Sequence, residues 1–212
     1  MPDISSFDSV TLAVFGALGI LSFLAVMVTI FKFIQFIRLG VGRTREAEAV
    51  VKAWLDGRAD EAMRGAAARR SVLLRVLQAV FSGLHDRPED QAHAEELGRQ
   101  TAMIELTTLG ERMRILEAVV QAAPMLGLLG TVVGMINAFS ALSMAQGAVD
   151  PALLAGGIWV ALSTTAVGLA IALVTYFITI WLESRIDSER AAMEALISIA
   201  IHGKVDPLAG RV

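Results

Sequence analysis

The sequence predicts an all-α membrane protein whose three transmembrane helices extend into a cytoplasmic helical domain. The first observation is composition, since 55% of the 212 residues are hydrophobic, more than soluble domains usually contain. The second is that the excess lies in three charge-free runs, 9–31, 118–149 and 151–182. Each run is at least as long as the roughly 20 residues that a helix needs to cross hydrocarbon. The third is that the segments between the runs are polar and show helical periodicity.

The first run is predicted to be a permanent span and not a removable signal peptide. No Lys or Arg precedes it, and it is longer than the apolar region of a signal peptide, which rarely exceeds about 15 residues. Between the second and third runs, Asp150 is the one ionised side chain. These two runs therefore predict a transmembrane hairpin, because a helix satisfies its own backbone groups in lipid.

The distribution of basic residues predicts the orientation. All eighteen Lys and Arg lie either in 32–114 or from Arg185 onward. By the positive-inside rule, the N-terminus and the Asp150 loop face the periplasm and the basic segments face the cytoplasm. The expected divisions are a periplasmic N-terminus with transmembrane helix 1 (1–38), a cytoplasmic helical domain (39–117), transmembrane helix 2 (118–149), transmembrane helix 3 (151–182), and a C-terminal cytoplasmic amphipathic helix and tail (183–212).

Two amphipathic helices are predicted in the cytoplasmic segment, in "TREAEAVVKAWLDG", where Gly57 closes the helix, and in "SVLLRVLQAVFSGL". Their apolar positions are Ala47, Val50, Val51, Trp54 and Leu55 in the first, and Val72, Leu73, Val76, Leu77, Val80 and Phe81 in the second. Residues 91–117 are expected to form one helix that continues into the second span. Another amphipathic helix is expected after the third span, and Lys32 and Arg38 are expected to extend to the membrane interface.

Several classes of function are not supported by the sequence. A net charge of −3 gives no sign of nucleic-acid binding, and the absence of cysteine excludes disulfides and thiol chemistry. The histidines His85, His93 and His202 lie far apart in polar surroundings, so a metal site is not expected. The carboxylates lie mainly in the polar segments, where solvated helix faces explain them. We therefore expect no catalytic residue, no metal and no cofactor, and a protein that is not an enzyme.

Small residues form a stripe along each helix of the hairpin. The stripes are Gly127, Thr131, Gly134, Ala138, Ala141 and Ala145 in span two, and Gly157, Ala161, Thr165, Gly168, Ala172, Thr175 and Thr179 in span three. One interpretation is close helix packing, which small residues permit. The other is that the stripes line a shared pathway when several copies assemble, with Thr131 and Ser163, Thr164 and Thr165 as its polar lining. For Thr164 and Thr175, a hydrogen bond to the preceding helical turn is the simpler explanation.

The hairpin resembles the paired membrane signature of the MotA/TolQ/ExbB proton-channel family, and most closely its three-span ExbB/TolQ branch. The resemblance rests on "EAVVQAAPMLGLLGTVVGMINAF" and "LLAGGIWVALSTTAVGLAIAL", and it covers roughly residues 110 to 182. The matching positions are Pro124, Gly127, Gly130, Thr131 and Gly134 in span two, and Gly157, Ala161, Leu162, Thr165 and Gly168 in span three.

The resemblance implies an inner-membrane subunit of a bacterial motor driven by the proton-motive force. Members form a pentamer around two helices of a single-span partner resembling ExbD or TolR, whose membrane aspartate carries protons, and they energise an envelope protein such as TonB or TolA. It implies that the glycines let neighbouring subunits and partner helices approach, and that Thr131 and Thr165 form polar rings near that aspartate. The spans themselves contain no titratable carboxylate or histidine, so a proton relay needs an outside group.

One position departs from the family pattern. ExbB and TolQ relatives commonly have glutamate in the fourth position of "GI-x-E-A-L", whereas this chain reads "GIWVAL" with Val160 there. The flagellar-motor branch is thought to work without that acid. Val160 therefore leaves open an oligomeric membrane scaffold that conducts nothing. A transporter for soluble ligands is less well supported, because no broken helix or binding cluster is evident.

Overall fold

The computed structural model describes residues 9–68, 71–144 and 151–203, and within these ranges all regular structure is helical. The helices are α1 (Ser9–Leu39), α2 (Thr44–Leu55), α3 (Ala59–Ala67), α4 (Val72–Asp86), α5 (Gln91–Gly110), α6 (Met113–Met144) and α7 (Pro151–His202). The Asp150 loop, Ala145, the N-terminal eight residues and the tail from Lys204 lie outside the described residues, so the predictions made for them stay predictions.

Three stretches are long and apolar enough to cross a membrane. They lie within Thr11–Leu55, Gln91–Ser140 and Leu154–His202, and their apolar parts belong to α1, α6 and α7. Many large apolar side chains on these helices are exposed, Phe23, Leu128 and Phe177 among them, which is the surface that lipid requires. The predicted all-α membrane fold with three spanning helices is confirmed.

The chain divides into two compact units. The first, which we name the spanning unit, contains residues up to Phe31 and Arg112–Ile180. Its three helices pack around a small apolar cluster of Val14 and Leu18 from α1, Ala123 from α6 and Ala172 from α7. Two of these four residues are alanines, so the helix axes can approach closely.

The second unit, which we name the polar unit, contains Lys32–Glu111 and the chain from Trp181 onward. Helix α4 is its centre, and all six apolar positions predicted for that helix are buried. Trp54 of α2 stacks on Phe81 of α4, with ring centroids 4.4 Å apart. Helix α5 crosses close to α4 at Gly83, where an added Cβ would lie 2.8 Å from the Cα of Ala94. The polar unit is therefore a helical bundle with an apolar core of its own.

The predicted amphipathic helices of this unit agree with α2 and α4 for most of their positions. Ala47 and Val51 are buried, while Leu55, at the end of α2, is exposed. Gly57 adopts a φ of +80° directly after α2, which is the conformation that its predicted role as a helix stop requires. The short helix α3 was not predicted.

The amphipathic helix expected after the third span is continuous with that span. Helix α7 continues without interruption from Pro151 to His202. Between Leu182 and His202 the sequence contains no glycine or proline that would end a helix. The amphipathic segment is therefore the second half of one long helix, which ends at Gly203 with a φ of +67°.

The expectation of one continuous helix from residue 91 into the second span is wrong. Helix α5 ends at Gly110, and Arg112 adopts a φ of +64° before α6 begins. In a continuous helix, the Thr108 and Leu109 carbonyls would accept from amides four residues later. Here Gln35 Nε2 donates to the Thr108 carbonyl at 2.9 Å and Lys32 Nζ donates to the Leu109 carbonyl at 2.6 Å.

These bonds account for the side chain of Lys32, which is fully buried in the polar unit, whereas Arg38, between one and two turns later, is exposed. A cation is favourable at the C-terminal end of a helix, where the carbonyl dipoles point outward. Lys32 and Gln35 of α1 therefore cap the end of α5 and stabilise the break before α6.

A buried carboxylate connects α7 to the turn after α1 in the polar unit. Glu189 lies two turns beyond the last residue of the third charge-free run, and it accepts a hydrogen bond from the Gly42 amide. Its Oε2 is buried and has no hydrogen-bond partner among the described residues. Burial raises the pKa of Glu189, while the Gly42 amide and the positive charge of Arg185 act in the opposite direction.

Candidate functional site in the α6–α7 hairpin

Helices α6 and α7 approach so closely that side chains larger than hydrogen do not fit at several glycines. An added Cβ at Gly134 would lie 2.7 Å from the Cβ of Ala161, and one at Gly130 would lie 2.5 Å from the Thr164 hydroxyl. An added Cβ at Gly168 would lie 2.5 Å from the carbonyl oxygen of Ala123. Real Cβ contacts of this length are essentially never observed, so a side chain at any of these three positions would force a neighbouring atom to move.

The two predicted stripes of small residues therefore face each other within one chain. Gly127 and Gly134 of α6 lie against Thr165 and Ala161 of α7, and Gly157 of α7 lies against Ala138. This is the packing interpretation of the stripes. The glycines allow this close approach inside the subunit, whereas the sequence-based expectation assigned it to neighbouring subunits and partner helices.

Three threonine hydroxyls converge on one backbone carbonyl in this contact. The Gly127 carbonyl oxygen lies 2.9 Å from Thr165 Oγ1, and 3.1 Å from Thr131 Oγ1 and from Thr164 Oγ1. Each hydroxyl has one proton to donate, and Thr164 Oγ1 lies closer, at 2.7 Å, to the Ala161 carbonyl of its own helix. A substituent on Gly127 would lie 3.0 Å from the α7 backbone, so only glycine lets α7 reach this carbonyl without displacement.

Thr131 and Thr165 also hydrogen-bond to each other, and either hydroxyl can be the donor. A hydroxyl has one proton and two acceptor lone pairs. When one of the pair turns its proton to the Gly127 carbonyl, the other can donate to it, and the direction of the bond reverses. The pair can therefore reorient without the loss of a hydrogen bond.

The predicted pathway residues differ in their access to the surroundings. Thr131 and Thr165 are partly exposed, whereas Thr164 is completely buried between the helices. Ser163 is not part of the cluster, since it donates to the Trp159 carbonyl of its own helix at 2.8 Å. Pro124 lies inside α6, one turn before Gly127. The structure thus places Thr131 and Thr165 in contact and separates Ser163 from them.

Thr131 also lies at the edge of a second surface, a shallow groove of about 730 Å³ along α6. The groove is lined by Leu128, Thr131, Val132, Met135, Ile136, Phe139, Ser140 and Ser143. Its apolar members are largely exposed, for example Leu128 at 60% and Ile136 at 60%. Ser140 and Ser143 were not selected from the sequence, although they follow the exposed bulky face of the helix. Thr131 therefore belongs both to the helix contact and to an open face.

The charge-free runs supply no titratable side chain to this site. Among the described residues, no cluster of three or more His, Asp or Glu side chains could hold a metal ion. What the arrangement offers is a reorientable hydroxyl pair beside an open apolar face. Such a pair can exchange hydrogen bonds with water or with an acid that another chain provides.

Comparison with known proteins decides the family. Residues 67–195 match the sequence profile described as the MotA/TolQ/ExbB proton channel family. The chain belongs to that family. The match includes both helices of the hairpin and most of the polar unit, and it confirms the resemblance found in the sequence. Members are membrane proteins of a proton-channel family, which is a family of transport proteins and not of enzymes.

Individual relatives carry related names. A putative biopolymer transport protein ExbB homolog of Methanothermobacter thermautotrophicus is 29% identical over an alignment of 224 positions, gaps included, that covers 97% of this chain and 77% of that protein. The biopolymer transport protein exbB1 of Vibrio cholerae is 45% identical over 60 residues, or 28% of this chain and 26% of that protein. A putative ExbB-like protein of Synechocystis is 36% identical over 108 residues, or 50% of this chain and 41% of that protein.

Proposed function

We propose that this chain is the multi-span subunit of a proton-driven membrane motor of the ExbB/TolQ type. It conducts protons together with a single-span partner resembling ExbD or TolR, and the complex energises an envelope protein of the TonB or TolA kind. The observation that carries the proposal is the hydroxyl pair of Thr131 and Thr165 at the edge of the open α6 face. Because the spans contain no carboxylate and no histidine, the proton-carrying acid belongs to the partner.

In this mechanism the partner's aspartate moves along the open α6 face and meets the hydroxyl pair. An ionised carboxylate accepts a hydrogen bond, and a protonated one also donates. The Thr131–Thr165 pair can hydrogen-bond to both protonation states of the carboxylate, since either hydroxyl can be the donor. A proton that crosses 100 mV releases about 2.3 kcal/mol, so a few protons are enough to drive a mechanical step.

The same proposal places the exposed bulky face of α6 towards the partner helices in a pentamer. Val132 and Phe139 are about half exposed in the single chain, at 50% and 53%, and would be covered there. The chain lies in the bacterial inner membrane, with its N-terminus in the periplasm and its C-terminus in the cytoplasm. The polar divisions 39–117 and 183–212 then face the cytoplasm, as their basic residues favour.

The experiment is partner-dependent proton flux in proteoliposomes that contain this chain and a single-span partner with a membrane aspartate. The double substitution Thr131→Val, Thr165→Val keeps the side-chain shapes and removes both hydroxyls. Flux should fall to the level measured without partner, while the amount of assembled complex stays within twofold of wild type. Full flux in the double variant would refute the proposed role.

Two matched controls separate proton conduction from packing. Thr164→Val removes a hydroxyl that bonds to the same carbonyl but is completely buried. It should lower stability by about 1 kcal/mol, the usual net value of a hydrogen bond, yet keep flux per complex. Thr175→Val removes a hydroxyl that bonds only to the Ile171 carbonyl of its own helix, and it should change neither quantity.

The alternative, an oligomeric scaffold that does not conduct, is favoured by Val160 alone. Val160→Glu restores the acid found in ExbB and TolQ relatives. In a conducting complex the new carboxylate meets a hydrated lumen, so accumulation in the membrane is kept and the flux changes. In a dry scaffold the same carboxylate costs several kcal/mol to bury, and the amount of protein in the membrane falls.

A further inference from the structure

An exposed pair of aromatic rings joins α1 and α7 in the polar unit. Phe33 and Trp181 stack with their ring centroids 5.7 Å apart and an angle of 16° between the rings. Both side chains are about half exposed, at 52% and 43%. The guanidinium carbon of Arg185, one turn beyond Trp181, lies 5.5 Å from the Trp181 ring centroid. We name these three side chains the ring anchor.

The ring anchor lies at the end of two charge-free runs. The first run ends at Phe31, two residues before Phe33, and the third ends at Leu182, one residue after Trp181. Tryptophan is enriched at the level of lipid headgroups in membrane proteins. We therefore place Trp181 at the depth where hydrocarbon meets the headgroups, and Phe33 lies beside it because the two rings stack.

The guanidinium of Arg185 forms no ion pair among the described residues, although its charge acts on Glu189 one turn later. Its position at the Trp181 ring leaves the planar set of N–H donors for an outside acceptor. A guanidinium matches the geometry of a phosphate group with two parallel hydrogen bonds, which a lysine cannot do.

The order of the groups along α7 suits a lipid. Trp181 lies at the end of the charge-free run with part of its ring exposed, and Arg185 lies one turn beyond it. Apolar surface of this kind beside a single cation fits the acyl chains and the phosphate of one phospholipid. We propose that the ring anchor is a binding site for an anionic phospholipid, with the phosphate on Arg185 and the upper acyl chain against Phe33 and Trp181.

The experiment uses the full-length chain in nanodiscs and the fluorescence of Trp181. The other two tryptophans are replaced by Trp54→Phe and Trp159→Phe, which keep an aromatic ring at each position. Bromine on the acyl chains of phosphatidylglycerol, in a background of phosphatidylcholine, should quench Trp181 more strongly than bromine on phosphatidylcholine in the reverse mixture. One basic side chain at the surface gives a preference of about fivefold for the anionic lipid.

The substitution Arg185→Gln should abolish this preference, and Arg185→Lys should keep a reduced one, because lysine retains the charge without the paired donors. The matched control is Arg190→Gln, which removes an equally exposed charge from the same helix and should keep the full preference. The proposal is overturned if Arg185→Gln keeps the preference, or if Arg190→Gln loses it to the same extent. It is also overturned if neither lipid quenches Trp181, since the ring is then covered by protein.

Discussion

At the scale of single residues, Gly127 shows how the absence of a side chain supports a polar site. Its carbonyl lies within hydrogen-bond distance of three hydroxyls, two of which come from α7, because nothing on Gly127 keeps that helix away. Threonine hydroxyls in membrane helices usually bond within their own helix, as Thr175 does. Thr165 bonds across the contact, and Thr164 can do so in addition to its bond within α7. The hairpin is therefore held by polar bonds as well as by packing, and one residue type makes both possible.

Glu189 predicts a pH dependence of stability. Burial raises the pKa of Glu189, so the folded state binds its proton more tightly than the unfolded state does. Stability should therefore decrease as the pH rises from the ordinary value of 4.5 through the folded pKa, and level off above it. Glu189→Gln keeps an acceptor for the Gly42 amide and removes the titration.

The measurement for Glu189 is the thermal midpoint of the purified chain in detergent between pH 4.5 and 8. Glu189→Gln should lose part of the decrease seen in wild type across this range. Glu183→Gln, an exposed substitution on the same helix, should keep all of it. If both variants behave as wild type does, the buried carboxylate makes no contribution to the pH dependence.

At the scale of helices, the α6–α7 contact predicts unequal effects of glycine substitutions on one helix. Gly168→Ala places a methyl group 2.5 Å from the Ala123 carbonyl, and backbone cannot move aside cheaply. Overpacking of this kind costs about 1 to 3 kcal/mol. At Gly156 no atom lies within 4 Å of an added Cβ, so Gly156→Ala should be neutral or stabilise by up to about 1 kcal/mol. Thermal unfolding of the two variants checks this, and equal midpoints would contradict the contact.

The capped end of α5 predicts that replacing Lys32 changes hydrogen exchange only near the end of that helix. Lys32→Met leaves the Leu109 carbonyl without its donor, and a lost bond of about 1 kcal/mol corresponds to roughly fivefold faster amide exchange. The increase should be confined to the peptide that contains residues 103–112, as measured by hydrogen exchange and mass spectrometry. Arg38→Met, on the same helix but exposed, should leave that peptide unchanged. Faster exchange in both variants would show a general loosening of α1 and not a lost cap.

The helices that the sequence predicts well are those whose signal is local. Charge-free runs identify α1, α6 and α7, and apolar spacing identifies α2 and α4, because both signals depend only on neighbouring residues. The break at Arg112 depends on Lys32 and Gln35, more than 70 positions earlier in the chain, and no local pattern indicates it. The stripes of small residues were recognised, but a stripe does not specify which helix it meets. In the candidate site, the family motif contains Thr131 and Thr165, so the sequence identified both. Ser140 and Ser143 could be assigned to the groove only once the structure showed which face of α6 is exposed.

At the scale of the whole molecule, the charge distribution predicts the topology. The chain has no cysteine, so a single introduced cysteine reports one position. A cysteine at Arg87, in the turn between α4 and α5, should be protected from a membrane-impermeant maleimide in intact cells. A cysteine at Asp150 should react, since that loop is expected in the periplasm. Labelling of the cysteine at position 87 and not of the one at position 150 would contradict the proposed orientation and support the opposite one.

The bonds between α6 and α7 have a genetic consequence. Because the hairpin satisfies its hydroxyls within one chain, it can close before the subunit meets another copy. A substitution that prevents closure, such as the much larger Gly168→Leu, then leaves a subunit that cannot enter the assembly. Such an allele should be recessive beside wild type, since the remaining rings contain normal subunits only. A subunit with Thr131→Val and Thr165→Val is expected to fold and to enter the proposed pentamer. One defective copy would impair four normal ones there, so that allele should be dominant.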